Sequence, residues 1–142
     1  MTEDERRAIE ADCERLIRRY VNLNDAQDWE AVANLYTEDA RFARPSKPGE
    51  FIEGRGAILK SFLARPARAQ RHVIANTVVE VESPAEARAF SVIVLYMGDA
   101  ADDGLPVMDA KSPLVGIFTD RLVRTPEGWR FEERVGGLDF RP

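Results

Sequence analysis

The character of the chain changes at Pro66, and that change constrains the fold more than any single motif. Before it, apolar residues recur at steps of three and four; after it, long runs are rich in Val, Ile, Phe, Tyr and Thr. The first pattern gives a helix one inward face, and the second suits a pleated strand. Helices followed by strands, in 142 residues, imply an α+β domain whose helices lie on one face of a sheet.

In the first part, Ile9, Cys13, Leu16, Ile17, Tyr20 and Leu23 mark the buried side of a long helix from Asp4 to Asn24. Asp28 fits the N-cap of a second helix, with Trp29, Val32, Ala33, Leu35 and Tyr36 on its apolar face and an end near Thr37. "DARFARP" resembles a short strand, and "KPGEFIEG" holds turn residues and a brief strand ending at Gly54. A third helix is expected from Arg55 to Ala64, with Ile58, Leu59, Phe62 and Leu63 inward and Pro66 ending it.

Four strands are expected beyond it: Gln70 to Glu82, Ala85 to Gly98, Leu114 to Arg124 and Gly128 to Leu138. "SPAE" and "TPEG" are turn sequences, whereas "DAADDGLPVMDAKS" reads as a mobile acidic loop. The strands form an antiparallel meander, and a strongly bent sheet leaves between itself and the helices a cone suited to a small molecule. No repeat or low-complexity segment interrupts the chain, so one domain over residues 1–142 is expected.

Composition narrows the functional classes. Hydrophobic residues make up 44% and charged ones 32%, as in globular proteins rather than disordered chains. No apolar run approaches the ~20 residues that span a bilayer. The segment "MTEDERRAIEADCERLIRRY" lacks the apolar stretch of a secretory signal, so a cytoplasmic location is expected. The net charge is −5 with basic residues interspersed among acidic ones, which argues against nucleic acid as partner. "RPARAQR", Arg65 to Arg71, is the one basic cluster and reads as a solvated connection. Cys13 is alone, which excludes an internal disulfide, and its place on the helix is that of a core residue.

His72, within "RHVIAN", is the only histidine. On a strand it shares a face with Ile74, Asn76 and Val78, which directs it toward the pocket. It is either a structural histidine with a satisfied hydrogen bond or the base of an active site. "RRYVNLNDAQDWE" offers partners: Tyr20 lies on the apolar helix face, and Asp25 falls where the helix ends. A carboxylate there opposes the helix dipole and asks for compensation, such as a hydrogen bond to an imidazole. In "WRFEERVGG", Trp129 and Phe131 alternate as core residues, and strict alternation would put Arg134 on the other face. A β-bulge would turn it inward; without one it is surface charge. One histidine with scattered carboxylates is a poor transition-metal site, and "VGGLD" lacks the spacing of a phosphate cradle, so neither metal nor cofactor is expected.

The order "Y…D…W…L…D", then "G…I…F" at 56–62, "H…N" at 72–76 and "FTDRLVRTPEGWRFEERV" at 118–135 resembles the SnoaL-like branch of the NTF2-like superfamily. The resemblance implies a cone-shaped, cystatin-like fold, with N-terminal helices on a strongly curved, mostly antiparallel sheet. It is nearest to the group of bile-acid 7α-dehydratase, hexachlorocyclohexane dehydrochlorinase and scytalone dehydratase. The group's catalytic Asp and His fall on Asp25 and His72, its strand arginine on Arg134, and the bile-acid enzyme's tyrosine on Tyr20. The dehydrochlorinase has a lysine at the Tyr20 position, scytalone dehydratase uses a second histidine that is lacking here, and the ketosteroid isomerases place their base in the segment where this chain has Arg44.

The implied activity is a cofactor-free, dehydratase-type lyase. His72 would take a carbon-bound proton, Asp25 would fix its tautomer, and Tyr20 and Arg134 would face the charge that develops on oxygen. Phe42, Leu114 and Phe118 correspond to pocket-lining positions, and the strand pattern adds Tyr96. The substrate implied is a hydrophobic cyclic compound such as a sterol, terpenoid, polyketide or aromatic-degradation intermediate. Members of this group form trimers and others dimers, so a homo-oligomer is expected. The competing reading is a non-catalytic ligand-binding or assembly domain, as in ring-hydroxylating dioxygenase β subunits, because one fold hosts many functions.

Overall fold

The computed structural model describes residues 1–142. Helix α1 runs over Glu3–Asp25, and Thr2 and Glu5 close a capping box at its start, with 3.1 and 2.7 Å bonds. Its buried side carries Ile9, Cys13, Leu16, Ile17, Tyr20, Val21 and Asn24. Gln27, at φ 58, turns the chain in the left-handed region, and Asp28 then caps α2 (Trp29–Ala33) through Ala31 N–H. That helix ends at Ala33 rather than near Thr37 because Tyr36 already belongs to strand β1 (Tyr36–Ala43). Phe131 N–H donates to Leu35 C=O at 2.8 Å, drawing the backbone there into the sheet.

After β2 (Phe51–Glu53), Gly54 at φ 92 begins α3 (Arg55–Leu63). Ile58 and Phe62 are fully buried, whereas Leu63, expected inward, is 60% exposed. Leu63 is one position after Phe62, which turns it about 100° away from the packed face.

Strands β3 (Ala69–Ser83), β4 (Glu86–Ala101), β6 (Leu114–Thr125) and β7 (Gly128–Leu138) form the expected meander. Between β4 and β6 the segment read as a mobile acidic loop contains a further strand, β5 (Gly104–Met108). It pairs with the end of β4, Gly98 opposite Met108. The sheet order is β2-β1-β7-β6-β4-β3, with β1 parallel to β7 and the other pairs antiparallel. The sheet is therefore curved, mixed and open at β2 and β3, with the helices against its concave side.

Two bulges set which side chains face the helices. In β3, Ala75 pairs with Val92 but Val78 with Phe90, so three steps oppose two; Asn76 sits in the left-handed region at φ 52. His72 and Ile74 therefore face inward but Val78 does not, being 53% exposed, and Val79 takes the buried place. The expected common face of His72, Ile74, Asn76 and Val78 ends at this bulge. In β7, Arg121 pairs with Glu133 and Leu122 with Phe131, leaving Glu132 as the extra residue. That bulge reverses the alternation after Phe131 and buries Arg134 completely. No helix is long and apolar enough to cross a membrane.

Candidate active site

A cavity of about 280 Å³ lies between the end of α1, the short helices and the concave side of the sheet. Trp29, Phe42, Phe62, Ile93, Leu95, Leu114 and Phe118 supply most of its apolar wall. Phe42, Leu114 and Phe118 are thus where the sequence predicts them. Tyr96 is not: on β4 the inward positions are Ile93, Leu95 and Met97, and Tyr96, between two of them, is turned to the outer face and 38% exposed.

His72 reaches the cavity from β3. Its side chain is 11% exposed, and its Nδ1 lies 2.5 Å from Oδ1 of Asp25, the last residue of α1. Oδ2 of the same carboxylate accepts the main-chain N–H of His72 at 2.8 Å. Asp25 is itself buried, and the compensation its helix-terminal position called for comes from these two bonds. Arg71, 4.0 Å from Oδ2, is 73% exposed and its charge is screened by water. A carboxylate at Nδ1 favours the tautomer that carries its proton on that nitrogen, which leaves Nε2 as the acceptor. No cluster of three His, Cys, Asp or Glu side chains suited to a metal ion accompanies the pair.

Tyr20 lines the cavity, and its hydroxyl pairs with that of Tyr36 at 2.7 Å. Burial raises the pKa of both phenols, so both stay protonated at neutral pH. Tyr36, assigned from sequence to a helix face, instead meets Tyr20 from β1.

Arg134 enters the core but not the cavity wall. Its guanidinium carbon lies 3.8 Å over the Phe118 ring, 4.3 Å over Tyr20 and 4.5 Å over Phe131. Nε is 3.0 Å from Oδ1 of Asp120, directly across the strand pair, and both side chains are fully buried. The angles do not form hydrogen bonds, so the pairing is electrostatic, with the aromatic faces sharing the charge. Burial pushes the Asp120 carboxyl up to about 6, against the pull of Arg134. The sequence argument missed Asp120, although it alternates with Phe118 and Leu122, two buried positions of the same strand. Arg134 therefore lies behind Tyr20 and Phe118 and not on the cavity wall, where the sequence places it.

The wall also holds polar residues that sequence reasoning did not select. Gln70 donates to the main-chain and side-chain oxygens of Asn24, both at 2.9 Å, and Gln27 to Arg68 C=O at 2.9 Å. Arg44, Arg65 and Arg68 line the cavity as well, so the basic cluster expected to be a solvated connection turns two of its arginines toward the site. Their spacing in "RPARAQR" carries no signal, because Pro66 breaks the helical period between them.

Residues 5–135 match the family model of the SnoaL-like domain. A scytalone dehydratase candidate from Novosphingobium aromaticivorans superposes with a TM-score of 0.81 at 21% identity, over 98% of this chain and 89% of that one. A candidate dehydratase of the NTF2-like family from Streptomyces avermitilis gives 0.79 at 14% identity, over 92% and 97%. An NTF2-like protein with a cystatin-like fold, also from N. aromaticivorans, gives 0.73 at 26% identity, over 93% and 82%. No curated protein sequence matches the chain.

Proposed function

The chain belongs to the SnoaL-like family, and from that premise we propose that it is a dehydratase-type lyase acting on a small hydrophobic cyclic substrate, with no cofactor. The observation that carries the reading is the 2.5 Å contact between Asp25 and the Nδ1 of His72, at the wall of an otherwise largely aromatic and aliphatic cavity. Nε2 of His72 takes the proton from a carbon made acidic by a neighbouring carbonyl, and Asp25 stabilises the imidazolium that forms. The electrons of the C–H bond form the new double bond as the C–O bond breaks, and the oxygen leaves as water with the proton that the His72 imidazolium returns to it, which restores the neutral ring. Tyr20 stands beside the developing charge, and Arg134 keeps its ring in place from below.

A second reading draws on the same contact. Asp25 also ties the main chain of β3 to the end of α1 through His72 N–H, which suits a structural pin in a ligand-binding or assembly domain. Mass analysis of a panel of hydroxylated cyclic compounds for loss of water separates the two. The lyase reading expects turnover that His72→Ala abolishes with little change in thermal midpoint, because the bond from the main-chain N–H survives the substitution. Unchanged turnover in His72→Ala, or no water loss across the panel together with a large fall in stability in that variant, overturns it in favour of the pin.

A further inference from the structure

We propose that the cavity takes a cyclic molecule bearing an oxyanion, in the simplest case a carboxylate, and that Arg44 and Arg65 hold that group. The proposal rests on this cavity being the ligand site, and it adds the substrate's charge to the reading above.

Three arginines line the cavity, and no Asp or Glu does. Arg68 is neutralised by Asp99 at 3.1 Å and Asp109 at 2.7 Å, and Arg134 behind the wall has Asp120. Arg44 and Arg65 have no acid. Arg44 follows the last residue of β1 and is held by one bond, from Nη2 to Ser61 C=O at 3.0 Å; its Nε is buried without a partner. Its neighbour Pro45 packs so closely on Gly136 that a Cβ there would lie 2.6 Å from the proline ring, which fixes where Arg44 leaves the sheet. Arg65 follows α3, and its guanidinium lies 4.4 Å from the Phe62 ring centre and 5.9 Å from that of Trp29.

Burial lowers the pKa of Arg65, and the charge of Arg44 lowers it further. The Arg65 guanidinium nevertheless remains charged at neutral pH. Two half-buried cations that repel each other beside an apolar cavity are stabilised by an anion between them, and their donors suit the planar, bidentate geometry of a carboxylate. The aromatic rings beside Arg65 fit the cyclic part of the same molecule.

The test is calorimetric titration with 2-naphthoate and its neutral isostere 2-naphthamide at neutral pH. The acid is expected to bind at least about tenfold more tightly than the amide. Arg65→Gln and Arg44→Gln should each remove most of that preference without weakening the amide, and Arg65→Lys should restore part of it. Should Arg44→Gln unfold through loss of the bond to Ser61, Arg65→Gln decides alone, since Arg65 makes its one hydrogen bond through the main chain, to Phe62 C=O at 3.1 Å, and the substitution leaves that bond in place. Equal binding of acid and amide, binding of neither, or a preference that survives Arg65→Gln overturns the proposal. If the two probes bind alike while the variants slow turnover, the arginines serve the transition state only. The result is separable from the lyase reading: anion preference without water loss leaves this inference standing, and water loss confined to neutral compounds does the reverse.

Discussion

Asp25 uses one carboxylate oxygen on the imidazole of His72 and the other on its main chain. Asp25→Asn keeps an acceptor for only one of these, and an amide that donates toward Nδ1 favours the wrong tautomer. Turnover is expected to fall about 10²- to 10⁴-fold, read as kcat on the substrate found in the screen. At the buried Asp120, the direction of pH dependence follows from its carboxyl, which titrates near 6 when folded against an ordinary 3.8. Between those values the folded chain holds the extra proton, so this group's contribution to stability is complete below the lower value and lost as pH rises through the upper. Urea denaturation at a series of pH values should show that decline in the native chain and not in Asp120→Asn. His72 and Asp25 were legible as single residues because one is unique and the other opposes a helix dipole. Tyr36 and Asp120 were not, since a tyrosine or aspartate among many becomes distinctive only through its partner.

At the scale of elements, the long pieces were read correctly, as were β2 and α3, whereas the end of α2 and the whole of β5 were not. Periodicity over more than twenty residues identifies α1 without ambiguity, and β-branched runs identify β3, β4, β6 and β7. By contrast, α2 has five residues, too few for a period to fix its end, and β5 hides among acidic and proline residues because its pairing with β4 is a contact at a distance in sequence. The bulges matter most. Asn76→Val forces a β-branched residue into the left-handed region and should cost about 1–2 kcal/mol in urea denaturation, whereas Asn76→Gly should be nearly neutral. Deleting Glu132 would remove the bulge yet leave Arg134 two positions after Phe131, on the inward face and still opposite Asp120. The expected outcome is a chain that keeps a cooperative thermal transition.

For the whole molecule, the concave side of the sheet is filled by the helices, but Val73, Val78, Phe90 and Tyr96 remain 38–53% exposed on strands β3 and β4. An apolar patch of this kind is ordinarily covered in solution, and the expected outcome is a homo-oligomer by light scattering, shifted toward monomer in Phe90→Glu. The sequence by itself determined the order of helices and strands, the apolar faces, the inward His72 and the acid placed to meet it, because each of these depends on local period or on residue type. Only the tertiary structure decided that Asp25 touches His72, that Arg134 turns in yet stays behind the wall, and that Arg44 and Arg65 face one cavity. Those outcomes hang on two bulges and on strand register, where one inserted residue moves every later side chain to the opposite face. The energy that fixes such a register comes from contacts between distant segments, which no local pattern encodes.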